Sequence, residues 1–208
     1  MMEHSTSYTS FVNLINNTNS FARVNGIPGN LLVEIYDWER DDVENIIWNR
    51  FIKMNDMDMT YYLPRLKREV SIEEIEKKLT NYSIPSRQNV QIAYTLYRIT
   101  ANPKYLQLVK SNIVKKNERT SYVAIVLQDC DPKDSNIYSF LRELFIEEIQ
   151  TGELVMVIDG LFFCKGIMKK MFSIEESNKC KELFSKYFSQ DVGERKKLII
   201  QFENEFGI

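Results

Sequence analysis

From Leu31 to Phe206 apolar residues recur three or four positions apart, the spacing that lines one face of a helix. Val43, Ile46, Ile47, Phe51 and Met54 form one such stripe, and Asn55-Asp56 ends it. Leu31, Leu32 and Ile35 predict a short helix before it, closing near Trp38. Asp41 followed three residues later by Glu44 has capping-box spacing, which places the start of the longer helix there. Tyr61, Tyr62 and Leu63, just ahead of Pro64, predict another short helix or turn. Ser71–Glu74 and Ser173–Glu176 both read Ser-Ile-Glu-Glu. Each is a capping box, one heading the stripe Ile72, Ile75, Leu79 and the other heading Leu183, Phe184, Tyr187, Phe188.

Between these, Ile84-Pro85-Ser86 breaks one helix and opens the next. Val90, Ala93, Tyr94, Tyr97 and Ala101 share its inner face, and Ile92, Leu96 and Ile99 widen that face enough to predict contact on two sides. Asn102-Pro103 opens a helix carrying Leu106, Val109 and Ile113. Asp134 or Ser135 caps another with Ile137, Leu141, Leu144, Phe145 and Ile149, for which Gly152 is the expected stop. Asp191 and Glu194 start the last helix, which carries Leu198, Ile199, Phe202 and Phe206.

Two segments are ambiguous. Leu154–Cys164 holds Asp159-Gly160 between β-branched and aromatic runs, a hairpin signal. Tyr122–Leu127, with Thr120 or Ser121 as a cap, fits a short apolar helix or a buried strand. Well-capped helical neighbours favour helix at both, and a hairpin at 154–164 would make the fold α+β. The expected fold is therefore all-α. It consists of irregular antiparallel helix pairs (86–101 with 103–116, 134–151 with 153–165, 173–189 with 191–206), stacked as a HEAT-like solenoid or a compact bundle. Residues 5–20 are rich in Ser, Thr and Asn, with Phe11, Val12, Leu14 and Ile15 sufficient for one short helix turn. With the breaker Gly26-Ile27-Pro28-Gly29-Asn30, they predict a weakly ordered arm over 1–25 and a single helical domain over 26–208.

Composition agrees with this picture. Only 7 Gly and 5 Pro interrupt 208 residues, which favours uninterrupted helices. The net charge of -2 shows no basic excess of the kind that nucleic-acid binders carry. The clusters Arg65–Lys67–Arg68, Lys169–Lys170 and Arg195–Lys196–Lys197 read as solvated helix ends. Cys130, Cys164 and Cys180 are odd in number and widely spaced, as reduced thiols of a cytoplasmic protein are. The first residues lack a basic and an apolar region, so no secretory signal is expected, and no apolar run is long enough to span a membrane.

The catalytic inventory is thin. His4 is the single histidine and falls in the expected arm, which excludes multi-histidine metal sites. As a base it would need the arm to fold over a pocket. No GxSxG, GxxxxGK[ST] or GxGxxG sequence occurs. Asp129-x-Asp131-x-x-Asp134 resembles part of a calcium loop, but Asp134 stands where Gly is needed and Phe140 where the bidentate Glu is needed. Asp56-x-Asp58 fails in the same way at Lys67. No metal, cofactor or enzymatic activity is expected.

The densest chemistry is Glu34, Tyr36, Asp37, Trp38, Glu39, Asp41 and Asp42, with Glu44 and Trp48 nearby. Three readings fit it: a solvated helical corner, an acidic and aromatic docking surface, or a carboxylate pair (34 and 37, or 37 and 41) that acts as acid and base or holds a metal. Trp and Tyr beside carboxylates suit a protein interface, because rings supply contact area and acids steer a basic partner.

The capped helix pairs from Ser86 to Leu127 and from Ser135 to Phe188, about half of the chain, resemble the HEAT-like helical immunity proteins that neutralise bacterial toxins. No functional residue carries over by motif. The resemblance implies a protein that binds stoichiometrically to a toxin domain, often a basic nuclease, and masks its active cleft with acidic residues. Two other readings remain: a helical-repeat nucleic-acid or DNA-repair protein similar to HEAT-like glycosylases, which needs a basic concave face, and an adaptor holding a peptide in a groove.

Overall fold

The computed structural model describes residues 3–16, 30–116 and 121–207, and every regular element among them is a helix. The Gly26–Gly29 breaker, residues 17–25 of the expected arm and the Thr120 cap lie outside the described residues. The chain forms two compact units, Met1–Lys78 and Leu79–Ile208.

In the first unit, α1 (Thr6–Asn16), α2 (Leu31–Glu34) and α3 (Asp37–Met54) are followed by 3₁₀ turns at Met57–Tyr61 and Leu63–Arg65 and by α4 (Ile72–Leu79). Phe11, Leu31, Val43, Ile47 and Phe51 are fully enclosed and form its core. The long helix starts five residues earlier than Asp41-x-x-Glu44 predicts, with Tyr36 in the cap position. Ile35 and Tyr36 are extended, which ends α2, and the Glu39 carboxylate reaches back to accept the Tyr36 N–H at 2.9 Å. Glu39 therefore takes the capping role expected of Glu44. Glu44 instead points inward and accepts the N–H groups of Lys67 (2.9 Å) and Arg68 (3.0 Å) and the Arg40 Nε–H (2.8 Å). Asn55 closes α3 in the left-handed conformation, as the sequence predicts.

The second unit contains α5 (Arg87–Thr100), α6 (Lys104–Val114), α7 (Val123–Leu127), α8 (Ser135–Phe145), α9 (Thr151–Cys164), α10 (Ile174–Lys179), α11 (Lys181–Tyr187) and α12 (Val192–Phe206). The caps act as the sequence requires: Ser86, Asp134, Ser173 and Asp191 each accept a backbone N–H of the first turn that follows. The wide apolar face of α5 is buried against both α6 and α7. Two buried asparagines tie α5 to α6. Asn112 donates to Asn89 Oδ1 at 2.9 Å and accepts the Ser86 N–H at 2.9 Å.

Both ambiguous segments are helical, so the hairpin alternative at 154–164 is excluded. Gly160 is there for packing rather than for a turn. A Cβ at this position would stand 2.9 Å from Leu127 Cδ2 and 3.0 Å from Leu141 Cδ1, so any side chain here would require those leucines to shift. Gly152 is likewise no stop, since it lies in the first turn of α9 and α8 already ends at Phe145. The expected helix 173–189 divides at Cys180 into α10 and α11. Phe162, Tyr187, Phe202 and Phe206 pack edge to face and face to face between α9, α11 and α12, with centroids 5.1–6.4 Å apart. Among the described residues no helix is long and apolar enough to cross a membrane.

Candidate functional site

The acidic and aromatic corner of the first unit is built from its two helix starts. Ser5 caps α1, its Oγ accepting the Tyr8 N–H at 3.1 Å. The same residue donates to the buried Glu39 twice, from its N–H (2.8 Å) and from its Oγ (2.7 Å). Glu39 also accepts the Tyr36 N–H, and His4 Nδ1 stands 3.0 Å from its Oε1. One carboxylate thus fastens the start of α1 to the start of α3. Burial works against its charge, but the hydrogen bonds from Ser5, Tyr36 and His4 outweigh it and hold the carboxyl below its ordinary pKa.

Above this anchor the rings form a row. His4 stacks on Tyr8 with centroids 4.2 Å apart and lies 4.8 Å from Trp38, which is 6.2 Å from Tyr36. Tyr36 is 51% exposed and Trp38 47%. Glu34, Asp37, Asp41 and Asp42 are exposed around the row. Ser7 Oγ donates to Glu34 at 2.8 Å and the Tyr8 hydroxyl donates to Asp42 at 2.6 Å. That bond to Asp42 is the main reason the Tyr8 hydroxyl is pushed up to about 12, with burial adding to it. None of the four carboxylates pairs with a lysine or arginine among the described residues; the nearby Arg40 is committed to Glu44 and to the Leu32 carbonyl.

Of the residues the sequence singles out, Glu34, Tyr36, Asp37, Trp38, Asp41 and Asp42 share this surface, and Glu39 lies beneath it as its support. Trp48 is elsewhere, 6.3 Å from Phe51 and 5.7 Å from the Arg68 guanidinium. Glu34 and Asp37 do not share a helix face, because extended Ile35 and Tyr36 separate α2 from α3. Sequence reasoning misses His4, Ser5 and Tyr8. The available signal was Ser5, a residue type that caps helices, placed just ahead of the apolar Phe11 and Ile15. The arm does fold back, and the hydroxyls beside His4 are already committed, Ser5 to Glu39 and Tyr8 to Asp42.

The other candidates resolve as structure. Asp129 pairs with Arg98, Asp131 accepts the Lys133 N–H at 2.9 Å, and Asp134 caps α8. Asp56 pairs with Arg50 at 2.9 Å. Among the described residues no three His, Cys, Asp or Glu side chains converge as metal ligands. The cluster Arg195–Lys196–Lys197 is not uniformly solvated, as Arg195 is 2% exposed while both lysines face solvent.

The carboxylates that hold the corner together set its response to acid. Glu44 resembles Glu39, in that burial opposes its charge while the Lys67 and Arg68 N–H groups and Arg40 prevail and lower its pKa. A carboxyl lowered on folding stabilises above its unfolded value, near 4.3, and that contribution vanishes as pH falls through the folded value. The contribution of Glu39 and Glu44 is expected to hold steady between about pH 7 and 5, while the half-buried Asp159, pushed up to about 6, adds stability as it protonates, and the urea midpoint is expected to fall steeply only below about pH 4. Glu44→Gln should flatten that fall, and an unchanged acid limb in the variant would show that these bonds do not govern it. No protein family, curated protein or solved structure matches this chain, so the functional reading rests on this geometry.

Proposed function

We propose that the protein is a non-catalytic binding module of the cytoplasm that docks a basic protein surface on the Tyr36–Trp38 row, in the manner of an immunity protein masking the active cleft of a toxin. The observation that carries this is an exposed aromatic row, fixed from beneath by a buried carboxylate and rimmed by four acids. Tyr and Trp are the residues on which interface energy concentrates. Rings already held by stacking lose little freedom when a partner covers them. Glu34, Asp37, Asp41 and Asp42 would draw a basic partner in and repel a phosphate backbone, which favours this reading over nucleic-acid binding. The cleft of a toxin nuclease, built to hold phosphates, has the complementary charge.

The test is affinity capture from the native cell with the wild-type chain and with Asp37→Lys combined with Asp41→Lys, both folded by circular dichroism. The expected result is a basic protein retained by the wild type, with affinity falling at least tenfold in the variant, about 1.4 kcal/mol. Equal retention by both would remove this surface from the function.

A further inference from the structure

The second unit contains a cleft that the docking surface does not involve. It has a volume of about 330 Å³, within the range of small-molecule pockets (roughly 300–1,000 Å³), and its lining is mainly apolar. Tyr122, Ala124 and Ile125 of the α7 region form one side, Phe172 another, and Arg87 and Gln128 supply the polar groups. We propose that this cleft binds a small aromatic carboxylate, its ring against Phe172 and Ile125 and its anion on Arg87.

Three observations support the assignment. First, the walls are fixed before any ligand arrives. Arg87 opens α5, whose start is tied to α6 through Ser86 and Asn112. The start of α7 hangs on the buried Glu153, which accepts the N–H groups of Tyr122 (2.6 Å) and Val123 (3.0 Å). The turn bearing Phe172 is held by the Lys169 N–H on Glu176 (2.7 Å) and by the Ser173 cap.

Second, Phe172 has φ +57° and is 56% exposed. The left-handed region is unfavourable for a bulky side chain, and such strain gathers at ligand clamps. Neither backbone preference nor burial of the ring explains a phenylalanine here, whereas a wall for a flat apolar ligand does.

Third, the charge complement is specific. Arg87 meets no carboxylate among the described residues. The first N–H groups of α7 are already consumed, by Glu153 and by Ser121 Oγ on Ala124 at 3.2 Å. A single guanidinium that meets no carboxylate among the described residues, and has no backbone cradle beside it, matches one carboxylate, not a polyphosphate. Gln128 adds an amide for a second polar group on the ligand.

Naphthoate and its neutral counterpart naphthamide provide the test, followed by amide chemical shifts of the full chain. Naphthoate is expected to shift Ala124, Ile125, Gln128 and Phe172 saturably, and naphthamide to bind about tenfold more weakly, as the loss of one charge-assisted contact requires. Arg87→Gln should bring naphthoate down to the affinity of the amide. Phe172→Gly should weaken both ligands while melting no lower than the wild type, because glycine accepts the left-handed backbone. Equal binding of acid and amide to the wild type, shifts confined to other residues, or no saturation would overturn the proposal.

Discussion

Glu153→Ala is expected to cost about 3–5 kcal/mol of stability, the penalty for removing one partner of a buried ion pair. Glu153 and Lys116 are both buried, with Nζ and Oε1 2.6 Å apart. The carboxylate also accepts the Ser121 hydroxyl (2.6 Å) and the N–H groups of Tyr122 and Val123. Truncation leaves an ammonium and two backbone donors without a partner where water does not enter, and each unmet donor costs about 1–3 kcal/mol. Lys116→Met should be milder, since the carboxylate keeps its backbone bonds and the methionine fills the space of the stem. Chemical denaturation of the two variants measures both effects. If Glu153→Ala cost no more than Lys116→Met, the carboxylate would not be the anchor of the 116–123 segment.

The second large effect has the opposite sign. Arg195 is among the largest fully buried side chains, and its Nε and Nη1 have no hydrogen-bond partner among the described residues. Burial pulls its pKa below the ordinary arginine value against the weaker pull of Asp191. A guanidinium with two buried nitrogens unbonded among the described residues opposes folding, and exchanging buried charge for a packed apolar side chain commonly gains about 1–4 kcal/mol. Arg195→Met, which keeps the length of the stem, is therefore expected to stabilise the protein within that range, read as a higher urea midpoint at unchanged slope. A lower midpoint would mean that the guanidinium is satisfied in solution.

Helix content was legible because the apolar spacing and the caps agree. Ser86, Asp134, Ser173 and Asp191 act at the positions where the sequence places them. The errors arise where one residue type serves two physical purposes. Asp159-Gly160 has the composition of a hairpin turn, yet Gly160 answers a steric demand from Leu127 and Leu141, side chains far away in sequence. Glu44 has the spacing of a capping residue, yet its carboxylate serves Lys67 and Arg68 more than twenty positions on. Arg195 sits in a basic run that looks solvated, and packing encloses it. Six of the seven residues singled out in the acidic and aromatic corner are exposed, and Glu39 is buried. His4, Ser5 and Tyr8 complete the corner and were invisible as partners, because the contacts joining His4 and Ser5 to Glu39 and Tyr8 to Asp42 span 34 and 35 residues.

By itself, then, the sequence determined that this chain is helical, where most helices begin, and which short stretch concentrates exposed acids and rings. These properties follow from periodicity and capping, which act over three or four residues. Tertiary structure alone decided which glutamates are buried anchors and which stay exposed. It also decided that the N-terminal residues join the aromatic row and that a cleft opens beside Arg87. Those outcomes depend on desolvation and on hydrogen bonds between distant segments, quantities that exist only once the chain has closed on itself.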